Sequence, residues 1–201
     1  MRFGIFGGTF DPPHVGHLIL AMEAFDQLKL DKVLWVIAPN PPHKLGKRIT
    51  DIECRIQMVR KAIDADPMFA LSRVDIDRPG PHYVLDTMRL LHKKFPGDEL
   101  VFIMGGDSLH DLPAWHEPQK FVTECDGIGV MHRPGEQIDL SVLKETLPGI
   151  EQKIEYIEAP LLEISSNKIR ALASEQKPFR YYLPAEVYAM VKRLNLYQVH
   201  E

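Results

Sequence analysis

The chain has 201 residues, 45% of them hydrophobic and 26% charged, the balance of a soluble globular protein long enough to form one core without disulfide staples. Its net charge of −4 argues against a broad nucleic-acid-binding surface, though it leaves room for a local basic pocket. The apolar run "VLWVIA" (33–38) falls far short of a membrane span, and "MRFGIF" lacks the layout of a signal peptide, so the expectation is a cytoplasmic protein with Cys54 and Cys125 as free, reduced thiols.

Taken in chain order, residues 2–6 read as a short buried strand. From there Val15, Leu18, Ile19, Met22 and Phe25 follow the i, i+3, i+4, i+7 spacing of a helix. "KVLWVIA" (32–38) is a continuous apolar run, as in a parallel strand covered on both faces. "PNPPHKLGKR" (39–48) is a loop punctuated by prolines and a glycine. A helix is predicted over 51–64 with Asp51 near its start, an alternating strand over 69–76, a turn at "RPGPHY" and a helix over 83–94. "ELVFIMGGD" (99–107) repeats the opening theme of apolar strand, two glycines and polar loop. Weaker strands are expected at 127–133 and 153–159, then two helices at about 165–174 and 184–194.

This alternation predicts an α/β fold: an open, mostly parallel, Rossmann-like doubly wound sheet with helices on both faces. One domain covers 1–201, with a small C-terminal helical part from about 165. In such sheets ligands bind where strand order reverses, at the C-terminal ends of the strands. The loops 7–14, 38–48 and 104–116 all leave strand ends and are candidates for one shared site.

The stretch "GIFGGTFDPPHVGHLILAM" (4–22) concentrates the chemistry. Gly7 and Gly8 leave the backbone open to a ligand. Their amides, with those of Thr9 and Phe10, can point at an anion beside the positive end of the helix that begins near His14 or Val15. A plain tight turn would explain the glycines alone. His14 and His17, however, are spaced i, i+3 across Gly16, which places both on one side of a first helical turn. Two imidazoles beside glycine amides suit a phosphate chain. A metal pair is the rival reading, but no Cys, Asp or Glu completes such a site locally. Asp11 is expected to tie down its own loop. Neither GxxxxGK[ST] nor GxGxxG occurs.

"GGTFDPPHVGH" resembles the signature of the nucleotidyltransferase superfamily, with its HxGH core, and "ISSNKIR" (164–170) resembles the second signature of that superfamily. "RPGPHYVLDTM" (78–88) and "GGDSLHDLPAWH" (105–116) resemble one branch, the bacterial nicotinate mononucleotide adenylyltransferases, and the resemblance covers nearly the whole chain. It implies transfer of AMP from ATP to nicotinate mononucleotide, giving deamido-NAD and pyrophosphate in NAD biosynthesis. It also implies ATP and nicotinate mononucleotide as partners, Mg2+ bound mainly through the ATP phosphates, no nucleic-acid or membrane partner, and a monomer or small homo-oligomer.

The same resemblance assigns roles. His14 and His17 donate to ATP phosphates and to charge developing at the α-phosphate, while Gly7, Gly8, Thr9 and Phe10 supply amides or a hydroxyl nearby. Lys44, in "PPHK", swings onto a phosphate as a point charge. Ser165 and Ser166 cap a helix whose first amides face phosphate, and Arg170, one turn further, reaches the leaving pyrophosphate. Arg133, in "HRPG", is a further cation candidate. Gly105 and Asp107 belong to the adenosine side, the carboxylate accepting from ribose hydroxyls. Trp115 stacks on the pyridine ring with His116 beside it, and Thr87 with the backbone near Tyr83 and Val84 forms the acceptor segment. That segment departs from the commoner pattern, nearer "GPSYTVDTL": His82 and Val84 replace a serine and a threonine. Nicotinate selectivity survives this if backbone amides read the carboxylate and is lost if the hydroxyls do.

Two further readings stay open. One is the same chemistry on nicotinamide mononucleotide or another phosphorylated acceptor such as phosphopantetheine, although Trp115 and "YVLDT" argue against the latter. The other is a non-catalytic nucleotide-binding protein on the same fold, which loss of a histidine, Lys44 or Arg170 would have suggested.

Overall fold

The apolar runs become a sheet of six parallel strands: β1 (Arg2–Gly8), β2 (Lys32–Ile37), β3 (Phe69–Ser72), β4 (Glu99–Gly105), β5 (Gly127–His132) and β6 (Ile154–Glu158). The structure, a computed structural model, describes residues 1–40, 49–132, 140–160 and 162–198. Strand order is β3-β2-β1-β4-β5-β6. The chain thus builds outward from β1 in one direction, then returns to the other side of β1 with β4, so strand order reverses between β1 and β4. The register Phe6↔Ile103 brings Gly8 and Gly105 to the same edge of that crevice.

Eight α-helices are described: α1 (Val15–Gln27), α2 (Ile52–Ile63), α3 (Val84–Lys94), α4 (Gly106–Asp111), α5 (Pro118–Glu124), α6 (Ser141–Thr146), α7 (Ser166–Ser174) and α8 (Ala185–Arg193). Strand side chains alternate between two cores. Ile5, Leu34, Val36 and Phe102 pack with Leu85, Met88 and Leu91 of α3 and Phe121 of α5. Phe6, Val33, Trp35 and Ile103 pack with Ala21 and Ala24 of α1 and Ile56 and Val59 of α2. A third cluster joins Met58 of α2 to Ile169 of α7 and Val187 and Met190 of α8, which anchors the C-terminal helices on α2.

Several boundaries differ from the sequence reading. The strand expected over 69–76 stops at Ser72, because Arg73 and Asp77 close a turn through both backbone (3.0 Å) and side chains (2.7 Å). The polar loop expected after Gly105 is α4 followed by a 3-10 turn over Leu112–Ala114, with Leu109 and Leu112 buried. The short helices α5 and α6 are additions to the elements expected from sequence. Cys54 and Cys125 are free, and burial raises the thiol of each above its ordinary range. Among the described residues no helix is long and apolar enough to cross a membrane.

Candidate active site

The loop leaving β1 is shaped by aromatic packing. Phe10 sits at φ 49°, a conformation costly for a residue with a side chain, and its buried ring lies against Phe6 (5.5 Å), Trp35 (4.8 Å) and His17 (5.1 Å). Gly8 makes room for that ring, since a Cβ there would lie 2.7 Å from Phe10 Cζ. The Phe10 side chain therefore serves the core and braces His17, leaving only its backbone for a ligand. Gly7, by contrast, is exposed, and a methyl group at its Cα would meet nothing nearer than 3.7 Å.

His14 is the N-cap of α1 and His17 its third residue. Their rings stack, with centroids 3.6 Å apart and planes at 22°. The His14 amide donates to His17 Nδ1 at 3.1 Å, which places the His17 proton on Nε2. His14 is 6% exposed, and its Nδ1 is buried without a partner. Burial alone lowers its pKa from 6.5 to about 4, so the ring is neutral at physiological pH. Gly16 is small for the sake of His14: a Cβ would come within 3.1 Å of His14 Nδ1.

The start of α7 meets the same loop. Ser165 caps the helix by accepting from the Lys168 amide (3.2 Å), as its place in the sequence implies. Ser166 Oγ donates to the Pro12 carbonyl (2.9 Å), and Arg170 Nη1 donates to the Asp11 carbonyl (2.6 Å) while Nη2 donates to Asn167 Oδ1. Asp11 does tie down its loop: its carboxylate accepts from the Thr50 amide (3.1 Å) and the Tyr197 hydroxyl (2.7 Å). The two histidines and Arg170 are thus brought to one place. Lys44 and Arg133 lie outside the described residues.

Across the crevice, Gly105 ends β4, and Asp107 is exposed in the first turn of α4. Trp115 packs edge-on against Phe102 (6.1 Å, 87°) and at a tilt against Phe121 (5.4 Å), so part of its ring anchors the segment and part stays exposed. His116 stacks on Tyr83 at 3.8 Å and 19°. Tyr83 caps α3, and Val84 opens it. Thr87 departs from the expected role. It is buried, and its hydroxyl lies 2.9 and 2.8 Å from the two oxygens of Asp75, so the side chain supports the segment from beneath instead of facing an acceptor. Asp75 also accepts from Arg78 Nε (2.9 Å), and Arg78 holds the Pro81 carbonyl (2.8 Å), which fixes the backbone entering α3. Among the described residues no group of three or more His, Cys, Asp or Glu side chains could hold a metal ion. A cavity of about 510 Å3 between α7 and α8, lined by Phe179, Tyr188, Val191 and Lys192 among others, shares no residue with this site.

Residues 5–172 match the cytidylyltransferase-like family. The chain is 43% identical, over its whole length and 93% of the relative, to a Thermomicrobium roseum protein named "probable nicotinate-nucleotide adenylyltransferase". A Thermus thermophilus protein of the same name is 38% identical over 98% of this chain and 100% of its own. The chain belongs to the cytidylyltransferase-like family. The fold of this cytidylyltransferase-like chain matches that of Plasmodium falciparum nicotinic acid mononucleotide adenylyltransferase complexed with NaAD, at a TM-score of 0.81, 21% identity and coverage of 98% of this chain and 97% of that one. The same enzyme complexed with APC gives a TM-score of 0.77 at 22% identity, covering 98% and 96%.

Two members of the site escape its motifs. Arg55 has a signal in the sequence: it falls on the apolar stripe Ile52, Ile56, Val59, Ile63 of α2, where a charge is out of place. Tyr197 has none, and it lies beyond the family match, which ends at 172.

Proposed function

We infer that the chain transfers AMP from ATP to nicotinate mononucleotide, giving nicotinate adenine dinucleotide and pyrophosphate, as a single domain over residues 1–201. The observation that carries this reading is the stacked His14–His17 pair at the start of α1, with His14 buried, held beside Arg170 at the crevice between β1 and β4. The names of the relatives supply the acceptor. The reading extends to a cytoplasmic protein, a monomer or small homo-oligomer, that acts on small molecules and not on nucleic acid.

In the reaction a phosphate oxygen of the acceptor attacks the α-phosphorus of ATP. The bond from that phosphorus to the oxygen bridging to the β-phosphate breaks, and pyrophosphate leaves. A phosphate monoester with a second pKa near ~6 is mostly dianionic at pH 7, so no proton need be removed from the nucleophile. The protein has to align two anions and offset their repulsion. His14 and His17 are neutral donors preorganised by stacking, burial and a backbone bond. They give hydrogen bonds to the phosphates without first being stripped of water. Arg170 supplies positive charge on the leaving-group side, and Lys44 and Arg133 are proposed to add to it. The amides of Gly7, Gly8, Thr9 and Phe10 and the first turn of α7, with Ser165 and Ser166, complete the phosphate surroundings. Mg2+ is proposed to arrive on ATP, held by phosphate oxygens and water, where it would neutralise part of their charge.

Gly105 and Asp107 are assigned to the adenosine, with the exposed carboxylate accepting from the ribose. The free part of the Trp115 ring is assigned to the pyridine, with His116, Tyr83 and the Val84 backbone alongside. Thr87 is assigned to shaping that segment through Asp75.

The test is pyrophosphate release from ATP and Mg2+ with nicotinate mononucleotide, nicotinamide mononucleotide and phosphopantetheine as parallel acceptors. Strong preference for the nicotinate form is expected. Equal use of both pyridine nucleotides would overturn the selectivity, and silence with all three would overturn the reaction.

A further inference from the structure

Asp11 is the hub of the phosphate loop. It is 3% exposed and held by three separate segments: the Thr50 amide on Oδ2, the Tyr197 hydroxyl on Oδ1, and Arg170 on its carbonyl. Arg55 clamps the other side of the loop. It is 2% exposed, yet among the described residues its guanidinium donates only to backbone carbonyls: Thr50 at 2.9 Å, Thr9 at 3.1 Å, Ala38 at 2.8 Å and Pro39 at 2.7 Å. A buried arginine that spends its donors on three converging chain segments fixes their relative positions.

Tyr197 is reached through an unusual path. Asn195 and Tyr197 both have positive φ, 49° and 68°, conformations that side-chain-bearing residues adopt only when the surroundings hold them there. The result brings the phenol, from beyond α8, into a partly buried contact with Asp11 and against Met58 Sδ (3.8 Å). One residue, Asp11, then separates the phenol from the Arg170 guanidinium.

We propose that Tyr197 is a positioning residue for nucleotidyl transfer: by holding the Asp11 carboxylate it sets the Asp11 carbonyl that orients Arg170, with Arg55 fixing the opposite side of the same loop. The proposal rests on the adenylyl-transfer reading above. It also assigns a role in the phosphate site to a residue beyond the family match, which ends at 172.

The experiment compares four full-length proteins: wild type, Tyr197→Phe, Arg170→Lys and the double variant. Tyr197→Phe is expected to lower kcat about tenfold, the scale of one hydrogen bond to a charged group. The acceptor KM should stay within about twofold of wild type, because Tyr197 lies on the phosphate side. In the Arg170→Lys background Tyr197→Phe is expected to add less than about twofold, since both act through one contact. Leu143→Ala, in a core cluster that Tyr197 does not join, should lower Tm and leave kcat unchanged. Wild-type kcat in Tyr197→Phe, or effects that multiply fully in the double variant, would overturn the proposal. If Tyr197→Phe does not fold, Asp11→Asn takes its place in the cycle with the same expectations. If wild type releases no pyrophosphate with any acceptor, the transfer reading fails. The coupling is then read from calorimetric ATP affinity of the four proteins, where full additivity would overturn it.

Discussion

His14 owes its chemistry to its burial. Its folded pKa of about 4 lies below the unfolded value of 6.5. Between these values the unfolded chain binds the extra proton, so stability is complete above pH 6.5 and falls as pH drops toward 4, by about 3 kcal/mol. Urea melts at about pH 7 and about pH 4.5 should show wild type losing on the order of 2 kcal/mol more than His14→Asn, which cannot take up that proton. Equal losses would mean that the ring titrates normally. His17→Ala should lower kcat by roughly 100-fold or more, as when a preorganised donor is removed. A folded variant with near-normal turnover would remove His17 from the mechanism. Trp115→Ala should raise the acceptor KM more than the ATP KM, and steady-state kinetics with each substrate varied in turn would reveal the opposite pattern if the ring serves the adenosine instead.

At the level of elements, the segment proposed to take the acceptor rests on the Thr87–Asp75 contact beneath α3. Thr87→Val leaves the buried Asp75 carboxylate short of a donor. The loss should be about 1–3 kcal/mol, with the acceptor KM rising and the ATP KM unchanged; parallel rises in both would mean the segment is not specific to the acceptor. The elements that build the crevice are legible in the sequence: β1, β2 and β4 are continuous apolar runs because they are covered on both faces, and α1 shows its apolar stripe. So are His14 and His17, whose i, i+3 spacing puts them on one turn. The helices α5 and α6, of 7 and 6 residues, are not. Two turns carry too little periodicity to separate from a loop, and their formation depends on tertiary packing such as that of Phe121 and Leu143. Thr87 is illegible for a related reason: a small polar side chain reads the same in sequence whether it faces a ligand or a buried carboxylate.

On the scale of the whole molecule, strand order reverses where the two halves of the sheet meet, so a nucleotide in that crevice, as proposed, would touch loops from both. ATP at about 100 times its Kd should add about 2.7 kcal/mol to stability. For a chain of 201 residues that is a rise in Tm of roughly 5–10 °C, measurable by scanning calorimetry with and without nucleotide. No rise at saturating nucleotide would mean that the folded chain does not bind ATP. The contact between Asp11 and Tyr197 spans 186 positions of sequence. A ribosome therefore makes the phosphate loop long before the residue that tethers it. A nascent chain, or one cut short before Tyr197, can contain the whole stretch from 5 to 172 that matches the family and still lack the hydroxyl that holds the Asp11 carboxylate.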